Sequence, residues 1–339
     1  MLRTVLLGTL LGVAGMPSAG AQQSPPTAVA ETIDAETIDA ETLDAETIEE
    51  VVVAGERAGP GLWKVRKGEH TLYLLATSSP LPKKLEWRSR EVEEVLSRAQ
   101  RFVPASFDVD ADIGPISGVR LYLQYRRLRG NPDDRTLEEV LPPELFARFE
   151  TLRLRYAPRN RDILKQRPVL AASELWREGI SRSGLTLRND IDRAVSKLAR
   201  ERKVQVVKPA VRIEDAKGTL TEMGQIPLDA EIACMSALLG RLESDLATAR
   251  RRAEAWAVGD IDALRSRRSA EQTACWEALL TSPKLAAIRR DFDTAWLRTV
   301  TQSLEQHPVT LAVVPFSELY GADGVLTKLR ARGYEIDEP

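Results

Sequence analysis

The sequence predicts an α/β protein in which a mixed β-sheet is covered by many helices. Apolar runs rich in β-branched residues lie near both ends and in the middle of the chain, at Thr71–Thr77, Val204–Lys208 and Thr310–Val314, and such runs are typical of strands. Long segments with apolar residues at helical spacing separate them. Strands so far apart must be joined by crossovers, so we expect the first and last strands to share one sheet, with a helical insertion forming a lobe.

The first 21 residues have the pattern of a secretory signal peptide. Arg3 precedes an apolar run from Thr4 to Ala14, and Ala19-Gly20-Ala21 provides a cleavage site with small residues. The run is too short to span a bilayer as a helix; the alternative is a buried helix. We expect cleavage after Ala21, a periplasmic or secreted location, and no transmembrane segment in the mature chain.

Residues 22–59 form a separate acidic region. The pentapeptide Ala-Glu-Thr-Ile-Asp and close variants occur four times from Ala30 to Glu49. In a helix, the apolar residue of each repeat would be rotated by about 140° from that of the preceding repeat, so no stable apolar stripe can form. With about two negative charges per repeat, the region is predicted to be a disordered acidic tether. A docking tail for a basic partner is the alternative.

The domain is predicted over residues 60–339 and opens with a β-hairpin. Two apolar arms flank the turn sequence Lys67-Gly68-Glu69-His70, as expected for paired antiparallel strands. The elements predicted up to the middle strand are the arms Leu62–Val65 and Thr71–Thr77, the helix Ser89–Ala99, the strand Arg101–Ser106, the helices Val119–Leu128, Pro142–Tyr156, Pro168–Gly179 and Ile191–Arg202, and the buried strand Val204–Lys208.

Helices are predicted through most of the second half, where apolar residues recur at intervals of three and four. They are Ile213–Met223, Leu228–Val258, Ile261–Arg268, Glu271–Leu280, Lys284–Leu304 and Gly321–Arg332. The strand Thr310–Val314 precedes the last helix, and a short strand at Tyr334–Asp337 ends the domain.

The charge balance argues against one class of partner. The chain has 48 Lys and Arg against 50 Asp and Glu, for a net charge of −2, which does not support nucleic-acid binding by bulk charge.

Arginines cluster around Tyr156 and again at Arg120, Arg126, Arg127 and Arg129. Since arginine binds carboxylates and phosphates well, these clusters either recognise an anion or are solvated helix faces.

The chain has two cysteines, Cys234 and Cys275, both in segments predicted to be helical. Because an exported chain enters an oxidising compartment, we expect them to form a disulfide bond. Two separate buried thiols are the alternative.

Several motifs, in this order and spacing, resemble the TraB/GumN family, which is distantly similar to the TIKI-type metalloproteases. They are Leu62-Trp63-Lys64-Val65, Thr77, Leu81-Pro82, Trp87-Arg88-Ser89, Trp256 with Gly259-Asp260, Arg289, and Gly321 with Gly324. The resemblance runs from about Pro60 to the C-terminus and implies the same α/β arrangement.

The resemblance also implies a metal site whose ligands are substituted in this chain. The family's Gly-Thr-x-His motif reads Ala76-Thr77-Ser78-Ser79, and its Gly-x-Gly-His-Leu motif reads Pro315-Phe316-Ser317-Glu318-Leu319. The family's glutamate after the middle strand aligns with Lys208, and the asparagine after Arg289 is Arg290. Because serine and lysine are poor ligands for a divalent cation, we expect no metal or other cofactor.

We therefore predict an exported, non-catalytic relative of metal-dependent hydrolases that binds an envelope ligand or partner. Its vestigial-site candidates, expected to converge in one cleft, are Ser79, Lys208, Arg289 and Glu318. No nucleophile elbow, zinc-protease motif, dinucleotide fingerprint or P-loop is present. Two alternatives stay open: a structural envelope protein, and a divalent-metal-dependent hydrolase with a rearranged site around Asp190, Asp192, Arg289 and Glu318.

Overall fold

The computed structural model describes residues 61–83, 85, 87, 89–111, 115–244, 246–265 and 270–339. The predicted signal peptide, residues 1–21, and the predicted acidic tether, residues 22–59, lie outside the described residues.

A six-stranded mixed sheet forms the centre of the fold, with the strand order β10-β1-β2-β9-β4-β7. The strands are β1 Leu62–Lys67, β2 His70–Thr77, β3 Leu81–Pro82, β4 Arg101–Val103, β5 Asp108–Ala111, β6 Leu185–Thr186, β7 Gln205–Val206, β8 Ala210–Ile213, β9 Val309–Pro315 and β10 Glu335–Asp337. β2, β9, β4 and β7 run parallel, whereas β1 is antiparallel to both of its neighbours. The predicted pairing of the first and last strands within one mixed sheet is confirmed.

Helices connect and cover these strands. They are α1 Arg90–Arg98, α2 Pro115–Leu128, α3 Leu137–Val140, α4 Pro143–Tyr156, α5 Pro168–Arg182, α6 Asp190–Glu201, α7 Ala216–Met223, α8 Leu228–Ser244, α9 Leu246–Val258, α10 Ile261–Arg265, α11 Ala270–Leu280, α12 Pro283–Gln306, α13 Phe316–Leu319 and α14 Val325–Arg330. Among the described residues, none of these helices combines the length and apolar character needed to cross a bilayer.

The sheet core is organised around β2 and β9. These strands pair in register from Thr71 opposite Val309 to Thr77 opposite Pro315, and their central residues are buried on both faces, as expected for interior parallel strands. Trp256 of α9 is fully buried and its Nε1 donates to the Ala76 carbonyl at 2.8 Å. This contact ties the helical cover to the end of β2, next to the candidate site.

A second apolar core confirms the helical insertion lobe. It is formed mainly by α4, α5, α8 and α11, and includes the fully buried side chains of Phe149, Leu175 and Met235. Cys234 of α8 and Cys275 of α11 form a disulfide bond with a Cα–Cα distance of 4.3 Å. The predicted bridge is confirmed, and it joins two helices of this core.

Two element predictions in the middle of the chain have the correct type but are wrong in burial or in starting residue. The segment Val204–Lys208 is not a buried strand, because β7 lies at the sheet edge with Gln205 exposed. The predicted helix Ile213–Met223 begins later, at Ala216, since Asp215 caps it by accepting from the Gly218 amide at 2.7 Å. The residues before the cap form β8, which pairs in parallel with β5.

The predicted final helix is also too long. Gly321 has a φ of 103°, a conformation that favours glycine and is not helical. α14 therefore starts only after Gly324, while the short helix α13 follows β9 directly and carries Glu318. The predicted helix Leu228–Val258 corresponds to α8 and α9, on either side of residue 245, which is outside the described residues.

Candidate functional site

Four parallel strands end at the same edge of the sheet, and the predicted site residues follow them. Ser79 comes two residues after β2, Glu318 three residues after β9, and Lys208 two residues after β7. Since neighbouring strands lie about 4.8 Å apart, the ends of β2 and β7 are separated by roughly 14 Å. The carboxyl ends of parallel strands are where α/β proteins usually bind ligands.

Arg289 and Glu318 form the central contact at this edge. Arg289 projects from α12 and its Nη2 donates to Glu318 Oε2 at 2.6 Å. The guanidinium also pairs with Asp293, at 3.1 Å from Nε to Oδ1, and its Cζ lies 4.9 Å from the ring centroid of Trp276. Both members of the ion pair remain partly accessible, with side-chain exposures of 28% and 38%.

The charges around Arg289 keep it firmly protonated. Burial alone would lower the pKa of the guanidinium, but the carboxylates of Glu318 and Asp293 outweigh this effect and raise it. The i,i+4 spacing of Arg289 and Asp293 on one helix is a signal that sequence reasoning could have used. The Trp276 contact is a tertiary one, and we see no sequence signal for it.

Lys208 belongs to a second charged group. Its Nζ donates to Asp108 Oδ1 at 3.1 Å. Nearby, the Asp192 side chain is buried and its Oδ1 accepts from the Ala105 amide at 2.7 Å. Desolvation raises the pKa of Asp192, although hydrogen bonds from Ala105 and Ser106 and the charge of Lys208 act in the opposite direction.

A contact between two aromatic rings connects the two charged groups. Phe107, next to Asp108, packs edge-on against Phe292, next to Asp293, with ring centroids 4.7 Å apart. The segment after β4 and the helix α12 therefore meet at the carboxyl edge. In the sequence, each of the two phenylalanines is followed directly by an aspartate.

The other predicted residues have separate environments. Ser79 is exposed in the turn after β2. A small cavity of about 80 Å³ lies beyond this turn and is lined by Leu81, Pro82, Lys83, Leu85, Trp87, Asp190, Ile191 and Ala194. Asp190 ion-pairs with Arg193 and Arg188 at exposed positions. Of the four residues of the alternative hydrolase site, Arg289 and Glu318 thus form an ion pair. Asp192 is buried elsewhere, and the Asp190 side chain is exposed and pairs with other arginines.

The residues at this edge do not fit the metal ion implied by the resemblance. Glu318 Oε2 already accepts a guanidinium hydrogen bond at 2.6 Å, and a cation would have to compete with that fixed positive charge. Within the described ranges, no group of three or more His, Cys, Asp or Glu side chains could hold a metal ion.

The fold and this edge define an α/β protein with a charged candidate site beyond the carboxyl ends of four parallel strands. A sequence model of the TraB/PrgY/gumN family matches residues 61–338. The chain therefore belongs to the TraB/PrgY/gumN family. No curated protein and no solved structure shows a significant match to it.

Proposed function

We propose that this protein is an exported, non-catalytic member of the TraB/PrgY/gumN family that binds an anionic ligand of the cell envelope at the carboxyl edge of its sheet. The observation that carries the proposal is the Arg289–Glu318 ion pair. This pair holds a permanently charged, partly accessible guanidinium beside Glu318, the residue that aligns with the histidine of the family's Gly-x-Gly-His-Leu motif.

The geometry of Arg289 suits recognition of a carboxylate or phosphate. A guanidinium has five N–H donors in a planar fork, and the contacts with Glu318 and Asp293 engage only some of them. Packing against Trp276 restricts the orientation of the plane. An incoming anion takes the place of Glu318 on the guanidinium.

Export is supported by two independent features. The N-terminal pattern ending at Ala19-Gly20-Ala21 is that of a cleaved signal peptide. The disulfide between Cys234 and Cys275 is of the kind that persists in oxidising compartments such as the periplasm.

The competing function is hydrolysis by a rearranged site, and one residue favours it. Asp192 is a buried carboxylate with a raised pKa, close to the positive charge of Lys208, and such groups are common among catalytic acids and bases. Its Oδ1, however, accepts a main-chain hydrogen bond from Ala105. That contact gives it a structural role in holding the segment after β4 against α6.

Calorimetric titration of the purified full chain with glucuronate and with inorganic phosphate tests the proposal. We expect Arg289→Ala to abolish binding, because the receiving cation is gone. We expect Glu318→Gln to strengthen binding several-fold, because the competing carboxylate is neutralised. Arg290→Ala is the matched control, since this neighbouring arginine is exposed.

Two results would overturn the proposal. One is anion binding that is unchanged in Arg289→Ala. The other is stoichiometric metal in the purified protein together with a hydrolytic activity that responds to Mn²⁺ or Co²⁺, which would assign the competing function.

A further inference from the structure

Helix α2 has one face packed on the domain and another exposed to solvent. Its inner side carries Leu121, Tyr125 and Leu128, which pack with Ile213 and Leu220 in a small apolar cluster beneath the helix. This contact accounts for the helix forming where it does, because an apolar stripe at helical spacing is buried against a partner.

The opposite side is also apolar but exposed. Val119, Tyr122 and Leu123 have exposures of 54%, 41% and 49%. Because residues three and four apart lie side by side on a helix, these three side chains form one patch. Isolated exposed apolar residues need no explanation, but a contiguous group on one helix face is typical of an interaction site.

Three arginines interleave with this patch. Arg120, Arg126 and Arg127 are all exposed. At 100° per residue, Arg126 falls between Tyr122 and Val119, whereas Arg127 and Arg120 lie along the edge of the patch next to Leu123. No ion pair or side-chain hydrogen bond joins any of the three to another residue in the described part of the chain. We call this surface the α2 outer face: Val119, Arg120, Tyr122, Leu123, Arg126 and Arg127.

The acidic repeat of this same chain has the complementary pattern. Between Ala30 and Glu50 there are nine acidic residues and no Lys or Arg. Each repeat has one large apolar residue, and that residue has a carboxylate two positions before it and another immediately after it, as in Glu31-Thr32-Ile33-Asp34. A repeat therefore presents an apolar side chain flanked by negative charge to a surface of apolar side chains flanked by positive charge.

The segment that connects the repeat to the domain enters at the sheet edge from which the chain leads to α2. The repeat ends at Glu49, and the described chain begins at Gly61, beside the carboxyl end of β2 where Leu62 pairs with Leu75. The chain leading into α2 leaves the same edge of the sheet, since β5 begins five residues after β4 ends. The intervening residues 50–60 can span about 36–40 Å when extended.

We infer that the acidic repeat docks on the α2 outer face of its own chain. The Ile or Leu of a repeat packs on Val119, Tyr122 and Leu123, and the flanking carboxylates pair with Arg120, Arg126 and Arg127. The four repeats are near-equivalent, so any one can occupy the face, and tethering raises their effective concentration to the millimolar range. This intramolecular contact is distinct from the ligand site proposed at Arg289.

Hydrogen–deuterium exchange of the full mature chain tests this inference. The comparison variant replaces the nine acidic residues between Ala30 and Glu50 with Gln and Asn. At about 20 mM salt we expect amides of residues 117–127 to exchange several-fold faster in the variant, and the difference to disappear near 0.5 M salt, where exposed charges are screened. Helix α4, Pro143–Tyr156, is the internal control and should exchange equally in both proteins.

A second variant identifies the contact itself. Replacing Arg120, Arg126 and Arg127 together with Gln should remove the protection given by the wild-type repeat while leaving the circular dichroism spectrum unchanged. Equal exchange of residues 117–127 in the wild type and the neutralised variant would overturn the inference and assign the repeat to an outside partner. Protection that rises with protein concentration, with dimers in light scattering, would overturn it in favour of a second copy of the chain.

Discussion

Arg289 on α12 and Glu318 on α13 form an ion pair, with Nη2 and Oε2 2.6 Å apart, beyond the carboxyl ends of β2 and β9. The pair links the long helix that crosses the sheet to the short helix that follows its central strand. In the proposed function this pairing matters because a carboxylate held by a guanidinium presents less negative charge to a metal ion and leaves cationic donors for an anion.

The ion pair should make a small contribution to stability, because both side chains are partly exposed. In a double-mutant cycle with Arg289→Ala and Glu318→Ala, we expect a coupling free energy of about 0.5–1 kcal/mol from urea denaturation. Additive effects would show that the two groups do not interact in solution.

The titration of Asp192 should make the free energy of unfolding depend measurably on pH. Burial raises its pKa above the ordinary value of 3.8 in the folded protein, so the folded state binds the proton more tightly than the unfolded state. Protonated Asp192 therefore contributes to the stability of the folded state at pH values below its ordinary pKa. This contribution is lost as the pH rises through the folded-state pKa.

Asp192→Asn removes this titration and keeps an oxygen that can accept from Ala105. We expect the free energy of unfolding of the wild type, relative to this variant, to fall as the pH rises from about 4 towards 7. Asp190→Asn, which removes a partly exposed carboxylate two residues away on the same helix, is the control. A wild-type advantage that grows with pH would contradict the assignment.

Replacing only one member of the buried ion pair Arg167–Glu231 should destabilise the protein. Glu231 is fully buried, and Arg167 Nε donates to its Oε1 at 2.6 Å while the same guanidinium donates to the Gly224 and Ile226 carbonyls. Arg167→Met leaves a buried carboxylate without its cation, and we expect a loss of about 3–5 kcal/mol in thermal or urea unfolding.

The double variant Arg167→Met/Glu231→Leu provides the matched comparison. It removes both charges, and we expect it to be more stable than Arg167→Met alone. If the double variant is the less stable of the two, the cost lies in the lost carbonyl contacts and not in the unpaired carboxylate.

The disulfide should stabilise the helical lobe chiefly by restricting the unfolded chain. Cys234 and Cys275 are 41 residues apart, so removing the bridge with a double alanine variant should cost about 3–4 kcal/mol. Wild-type protein unfolded in the presence of a reductant should show a similar loss. Equal stability of the oxidised protein and the variant would contradict this expectation.

Export predicts a defined mature N-terminus. Mass spectrometry of the protein from a periplasmic fraction should show a chain that begins at Gln22, because Ala19-Gly20-Ala21 is the predicted cleavage site. An intact Met1 in a cytoplasmic fraction would contradict both the cleavage and the compartment.

Some element boundaries were readable from local signals. The helix predicted at Ser89–Ala99 is α1, whose N-cap is Ser89, and the hairpin around Gly68 has that residue at a φ of 58°. The predicted strand Val204–Lys208 shows what local signals cannot predict. An apolar run indicates a strand but not whether that strand lies inside a sheet or at its edge. β7 occupies the edge, and only Gln205–Val206 pair.

The sequence by itself determined which segments are helices and strands in most of the chain, the cysteine pair, the family, and the positions of Ser79, Lys208 and Glu318 just after strands. These features depend on local periodicity, capping and motif order. The tertiary structure alone decided the partners: Glu318 meets Arg289, whereas Lys208 meets Asp108 and the buried Asp192 meets the Ala105 amide. Such pairings depend on where distant segments pack against one another, and side-chain spacing along one element carries no information about that.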